Sequence, residues 1–407
     1  MISILVTMVI DSPAEHDSLG DEELLGILES WSYWTTDPPA SVPRKAAAAC
    51  TLYREVVNVI TGVRRCGKST LLQQLVRSNG IPPNRAVFVN FEDPRLTRHL
   101  DHRLLGRICS VAERALGRPD TFFFDEIQHV SGWQRWINSS LERRREYRFV
   151  ATGSNSGLLG GELALALTGR HLSTELFPFD LDEFRELVAR ATIERYLRRG
   201  GFPAALTIAE PERLLQQYFQ DIVERDVRER VSAKSSRSIM AVAQMVFESV
   251  GSETSLRRIA ATVQLSPETV NGYLQACEDA YLVFSCPYFA YSEAKRARRN
   301  TKFYAVDTGL RRAVTSRAGD DLGKDFENLV YLTLRRKGAE VFYWRGRAEV
   351  DFVVKTVNGV RPIQVTFGAP KPRHEAGLRE FYATFPHASE ALLVTPDSYH
   401  ELVDLEV

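Results

Sequence analysis

From residue 44 to about residue 184, unbroken apolar runs alternate with segments of helical period. The runs are VVNVIT (Val56–Thr61), AVFVNF (Ala86–Phe91), TFFFDEI (Thr121–Ile127), RFVATG (Arg148–Gly153) and STELF (Ser173–Phe177). They are rich in β-branched and aromatic residues and show no polar alternation. That pattern predicts strands buried on both faces, in a parallel sheet covered by helices. The first 43 residues are poorly patterned; a short helix over Asp21–Trp31 and a linker at DPPASVP (Asp37–Pro43) are expected. Leu181–Met245 reads as helical, broken by RRGGFPAAL (Arg198–Leu206). Ser255–Leu310 reads as three short helices and a hairpin. Beyond Gly323, a helix over Asp325–Lys337 precedes strands VFYW, VDFVV and PIQVT, a further helix and a last strand, ALLVT. The implied units are 1–43, 44–184, 185–245, 246–313 and 314–407, in an α/β architecture.

Composition narrows the field. The 407 residues carry 52 basic and 52 acidic side chains, so no global field draws nucleic acid or membrane, and such binding needs local patches. Cys50, Cys66, Cys109, Cys277 and Cys286 form no CxxC pair, which argues against zinc and disulfides and fits a reducing cytoplasm. The opening MISILVTMVIDSPAEHD lacks a basic flank and is not read as a signal peptide. No apolar run is long enough to span a membrane.

One stretch carries specific chemistry. TGVRRCGKST (Thr61–Thr70) fits GxxxxGK(S/T) between an apolar strand and a helix. Gly62, Val63, Arg64, Arg65, Cys66, Gly67, Lys68, Ser69 and Thr70 would wrap a phosphate with backbone N–H groups and a helix N-terminus. Lys68 would reach the β- and γ-phosphates of ATP, and Ser69 would hold Mg²⁺. A thiol at Cys66 makes oxidation sensitivity a further expectation.

TFFFDE ends a buried strand in two acids, which calls for a site at the carboxyl edge of the sheet. Asp125 is expected to serve Mg²⁺ and Glu126 to polarise the attacking water. At the end of the next strand, Ser154 or Asn155 is placed to orient that water or sense the γ-phosphate, or simply to make a polar turn. Arg170, after LALTG, is an arginine finger, a sensor arginine or a solvated arginine at a helix end.

GVRRCGKSTLL, NFEDPR (Asn90–Arg95), FFFDEIQ, TGSNSGLL, LTGR, GGFP and Glu224-Arg225-Asp226 occur in an order that resembles a prokaryotic group of AAA-superfamily ATPases with a C-terminal domain of uncertain role. The resemblance covers about Arg44 to the end and implies Mg-ATP binding and hydrolysis. Ring-forming AAA relatives make a homo-oligomer one expectation. Glu92 and Asp93 of NFEDPR would touch Mg²⁺ through water or cap the next helix. Arg64 and Arg65 would meet those acids or a neighbouring subunit.

Two later segments raise the question of DNA. TSLRRIAATVQLSPETVNGYLQACEDAYLV has helix-turn-helix punctuation, with Ser266 as N-cap and Pro267 at N1. The hairpin after it carries Lys295, Arg296, Arg298, Arg299 and Lys302, a basic wing for phosphates or a solvated loop. In the last unit Glu327, Asp351 and Gln364 stand in the order of the restriction-endonuclease-like fold, with its PD-(D/E)xK signature. Gln364 replaces an acid and Thr366 stands at the lysine position, so weak or absent cleavage is expected, unless Lys355 reaches in.

The reading is a P-loop AAA-type ATPase joined through a helical region to a winged helix and a nuclease-like domain. Its work would be on DNA, as remodelling, branch migration or defence. The alternatives are a nucleotide-dependent switch for protein partners and an ATP-dependent nuclease.

Overall fold

The computed structural model describes residues 19–34, 37–144, 146–158, 167, 169–231, 235–315, 321–357 and 359–406. The opening apolar run, residues 35 and 36 of the linker region and the helix expected before Arg170 lie outside them. Among the described residues, no helix is long and apolar enough to cross a membrane.

Five parallel strands form the first sheet: β1 (Val57–Thr61), β2 (Ala86–Asn90), β3 (Thr121–Asp125), β4 (Arg148–Gly153) and β5 (His171–Glu175), in the order β2-β3-β4-β1-β5. Three consecutive phenylalanines show why the runs are continuous. Phe122 and Phe124 pack on one face, and Phe123 packs on the other, stacked on Phe88 at 4.4 Å. Both faces are covered, so the three positions between Thr121 and Asp125 are all apolar. β5 is an edge strand and half-exposed, and it begins two residues earlier than its apolar run. The helix over Asp21–Trp31 forms as expected and docks beside β2, where Trp31 Nε1 donates to Asp93 Oδ2 at 2.8 Å.

The helical region follows. The break in it falls at Gly200 and Gly201, as read. Gly201 has no room for a side chain, because a Cβ would lie 2.2 Å from the Phe179 carbonyl oxygen. Next come helices over Arg237–Glu248, Leu256–Val263 and Pro267–Asp279, with a three-stranded antiparallel sheet of β6 (Glu253–Thr254), β7 (Val283–Cys286) and β8 (Thr301–Ala305) in the order β6-β8-β7. Ser266 caps its helix, accepting from Thr269 N at 3.1 Å.

The terminal sheet has β9 (Val341–Arg345), β10 (Glu349–Thr356), β11 (Gly359–Val365) and β12 (Leu392–Val394) in the order β12-β11-β10-β9. Helices over Leu322–Arg336 and Pro372–Thr384 pack against it. The β9–β10 register shifts between Val350 and Val353, the stretch that contains Asp351. One apolar cluster runs from Ala47 through the helical region to Leu405, so these units share a core rather than hang on solvated linkers.

Candidate nucleotide site and its surroundings

All five strands point the same way, so β1, β3 and β4 bring Gly62, Asp125 and Ser154 to one edge. The loop after β1 is shaped by its glycines. Gly62 has φ 151°, and a Cβ there would stand 2.1 Å from the Leu176 carbonyl oxygen. Gly67 has φ 102°, with Arg44 Nη1 3.1 Å from where a Cβ would be. The helix over Lys68–Ser78 follows, and its first-turn amides have no carbonyl one turn back, so they face the loop's concavity.

Lys68 is buried. Its Nζ donates to the carbonyls of Gly62 at 3.0 Å and Val63 at 3.3 Å, and lies 3.7 Å from Glu126 Oε1. Ser69 Oγ donates to Asp125 Oδ2 at 2.6 Å, and Asn90 Nδ2 reaches the same oxygen at 3.3 Å. Thr152 Oγ1 donates to Asp125 Oδ1 and accepts from Glu126 N. Burial and the Glu126 charge raise the Asp125 pKa, against its hydrogen bonds from Ser69 and Thr152. Burial also pushes Glu126 up, but Lys68 and the Gln128 amide outweigh it and hold the group below its usual value. Glu126 has φ 54°, a left-handed conformation that a glutamate seldom adopts and that is characteristic of constrained functional sites.

Lys68, Ser69, Asp125 and Glu126 line a cavity of about 550 Å³ together with Arg64, Arg65, Gly67 and Thr70. Its other side is formed by Phe179, Leu187, Pro203 and Tyr218, so the GGFP segment borders the site. Arg64 meets Glu92 at 2.9 Å, and it also grips Asp226 with Nε and Nη2, both at 3.2 Å. Ser154 Oγ donates to Asp226 Oδ1 at 3.2 Å, so one carboxylate ties the phosphate loop to the β4 turn. Asn155 Oδ1 accepts from Leu158 N at 3.1 Å within its own turn. Asp93 caps its turn, accepting from Arg95 N at 2.9 Å.

Arg44 is the residue that sequence reasoning missed. It is buried, and it donates to the Cys66 carbonyl at 2.7 Å, the Phe177 carbonyl at 2.6 Å and Glu183 at 2.9 Å. It braces the loop from behind. Its signal in the sequence is slight, an Arg-Lys pair after a proline-rich linker.

Four expectations need correction. Cys66 is fully buried with Sγ against the Leu176 carbonyl, and burial raises its thiol pKa, so it is not an oxidation-prone group. Arg170 precedes β5 and therefore sits at the opposite, amino edge of the sheet, paired with Glu142 at 2.7 Å; it cannot act on this chain's own site. Lys302 is 0% exposed and faces Glu349 and Glu327, so it is no part of a basic surface. Lys355 pairs with Glu340 and lies over the Phe342 ring, away from Asp351.

The remaining basic residues divide. Lys295, Arg298 and Arg299 are exposed, whereas Arg296 pairs with Glu293 and lies 5.4 Å from the Phe342 ring centroid. Glu268, Asn271 and Gln275 are exposed on the helix over Pro267–Asp279, but the end of that helix is docked. Asp279 accepts from Ser156 Oγ at 3.0 Å and Arg230 Nη1 at 2.8 Å. Glu327, Asp351 and Gln364 do come together, lining one cavity of about 830 Å³. Gln364 spends its amide on the carbonyls of Glu349 at 2.7 Å and His374 at 3.3 Å, and Thr366 Oγ1 donates to the Gly368 carbonyl. Burial, with Glu327 close by, pushes the Asp351 pKa up to about 8.

Family models match three stretches of the chain. A family model described as an AAA domain matches residues 54–185, and two domains of unknown function, DUF8612 and DUF4143, match residues 190–321 and 322–404. An uncharacterized protein of Haemophilus influenzae is 29% identical over 340 residues, covering 79% of this chain and 85% of that one. The uncharacterized protein MJ1544 of Methanocaldococcus jannaschii is 31% identical over 328 residues, covering 73% and 72%. Among solved structures, AMPPCP-bound DnaA from Aquifex aeolicus aligns at 16% identity and TM-score 0.29 over 57% of this chain and 85% of that chain, a likeness too slight to carry an argument.

Proposed function

We propose that this chain, which belongs to the family of the Methanocaldococcus jannaschii protein MJ1544, binds Mg-ATP at its phosphate loop, hydrolyses it, and applies the conformational change to DNA. The observation that carries the ATP reading is the convergence of Lys68, Ser69, Asp125 and Glu126 on one cavity at the carboxyl edge of the sheet. Ser69 and Asp125 offer hard oxygen donors 2.6 Å apart, a set that fits Mg²⁺. Bound there, the ion supplies charge neutralisation to the phosphates. Lys68 would exchange its loop carbonyls and Glu126 for phosphate oxygens. Glu126, released from Lys68 and still beside the Gln128 amide, would then be free to orient water. Phe179, Leu187, Pro203 and Tyr218 supply an apolar wall for the base. Binding of an ATP analogue to wild type and Lys68→Ala tests this: loss in the variant supports it, and equal affinity refutes it.

The helices and small antiparallel sheet of residues 237–305 are read as a winged helix, and Lys295, Arg298 and Arg299 as its phosphate contacts. The second reading, a nucleotide-dependent switch for a protein partner, is favoured by the docked end of the helix over Pro267–Asp279. Cleavage by the terminal unit is disfavoured, because Gln364 is committed to backbone carbonyls and Lys355 faces elsewhere. Arg170 can serve only a neighbouring copy, so a ring-like homo-oligomer belongs to this proposal. Five unbridged, buried cysteines suit a reducing cytoplasm.

A further inference from the structure

Lys302 lies on β8, yet its ammonium sits in the terminal unit. Its Nζ is 2.5 Å from Glu349 Oε1 on β10 and 3.6 Å from Glu327 Oε1 on the helix over Leu322–Arg336. Tyr343 lies beneath, its ring centroid 5.2 Å from Nζ, and Tyr304 OH donates to Glu327 at 2.7 Å. Glu327, Glu349 and Asp351 line one cavity, together with Lys324, Arg347, Lys371 and Arg373. On the solvent side, Arg345 Nη1 stands 3.7 Å from Glu349 Oε2. An ammonium is a compact, strongly hydrated cation, and removing its water costs several kcal/mol unless anionic oxygens replace that water. Here they do.

Carboxylate oxygens from a helix and a strand, converging on one desolvated point, are also what a divalent cation would use. The point is taken. Among the described residues, no three His, Cys, Asp or Glu side chains are arranged to hold a metal ion.

We propose that Lys302 is the resident cation of this acidic cluster and closes it to divalent metal; only with the ammonium gone would Glu327, Glu349 and Asp351 draw together on Mg²⁺ or Mn²⁺. The pocket is then a charged joint that locks the hairpin strand to the terminal sheet. The inference stands on this geometry and does not depend on the ATP reading.

The test is Mn²⁺ binding to the full chain without nucleotide, followed by the loss of the free-ion signal in electron paramagnetic resonance. Up to about 1 mM Mn²⁺, the weak end of protein cation sites, wild type and Asp351→Asn should bind alike. Lys302→Gln should gain one bound Mn²⁺ per chain, and Lys302→Gln with Asp351→Asn should lose it again. A Mn²⁺ in wild type that Asp351→Asn removes overturns the proposal, as does a folded Lys302→Gln that gains none. Circular dichroism checks folding. If Lys302→Gln does not fold, the wild-type comparison decides: equal binding upholds the proposal and Asp351-dependent binding overturns it.

Discussion

Arg64 of the phosphate loop and Asp226 of the helical region face each other in a two-pronged ion pair, Nε and Nη2 each 3.2 Å from one carboxylate oxygen. Both side chains are largely buried, and burial of Arg64 is more than offset by Asp226 and Glu92, which raise its pKa. Asp226→Ala leaves a buried guanidinium with one partner. It should cost about 3 kcal/mol in urea unfolding, since breaking a buried pair costs more than the pair contributes. It should also weaken ATP binding, because Arg64 and Ser154 lose a common anchor. Unchanged unfolding would show that Glu92 alone satisfies Arg64.

Gly62→Ala tests the shape of the loop. A methyl group would meet the Leu176 carbonyl oxygen at 2.1 Å, and φ 151° is strained for any side chain. Backbone carbonyls cannot swing aside, so the substitution should destabilise the fold by more than about 2 kcal/mol. A melting temperature equal to that of wild type would contradict this geometry.

Asp307 links stability to pH. It accepts from Gly201 N at 2.6 Å and Leu310 N at 2.7 Å, holding the GGFP segment beside the nucleotide cavity. Burial pushes its pKa up to about 6, despite those hydrogen bonds. Between about pH 4, where the unfolded group releases its proton, and the folded value, the native state binds the extra proton. Stability from this group therefore falls as pH rises through that window and is level above it. Asp307→Asn should flatten the fall. Denaturant midpoints across the window, wild type against variant, measure it; parallel curves would contradict it.

The basic loop makes a salt-dependent prediction. If Lys295, Arg298 and Arg299 each meet a phosphate, changing all three to Glu should abolish measurable DNA binding at moderate salt. Changing them to Gln should lower the slope of log affinity against log salt by about 3. An unchanged slope would favour the protein-partner reading.

The first sheet was legible because burial on both faces leaves a direct trace: Phe122, Phe123 and Phe124 in a row, then Asp125 where the sheet ends. The phosphate loop was legible because glycines at Gly62 and Gly67 answer to backbone geometry. Residues whose role comes from distant partners were not. Arg44 looks like a linker arginine until Cys66, Phe177 and Glu183 are folded around it. Lys302 reads as one more charge in a basic run, because its fate is decided by Glu327 and Glu349, both in the following unit. Arg170 follows the motif order of a finger, but a parallel strand places its start and end at opposite edges of the sheet.

The central claim is that Glu126 prepares water for attack on ATP held by Lys68. Steady-state phosphate release by Glu126→Gln, with ATP binding measured on the same preparation, tests it most directly. Binding should be retained and turnover reduced about 100-fold or more, the range for loss of a positioned base. Full turnover with Glu126 replaced would contradict it.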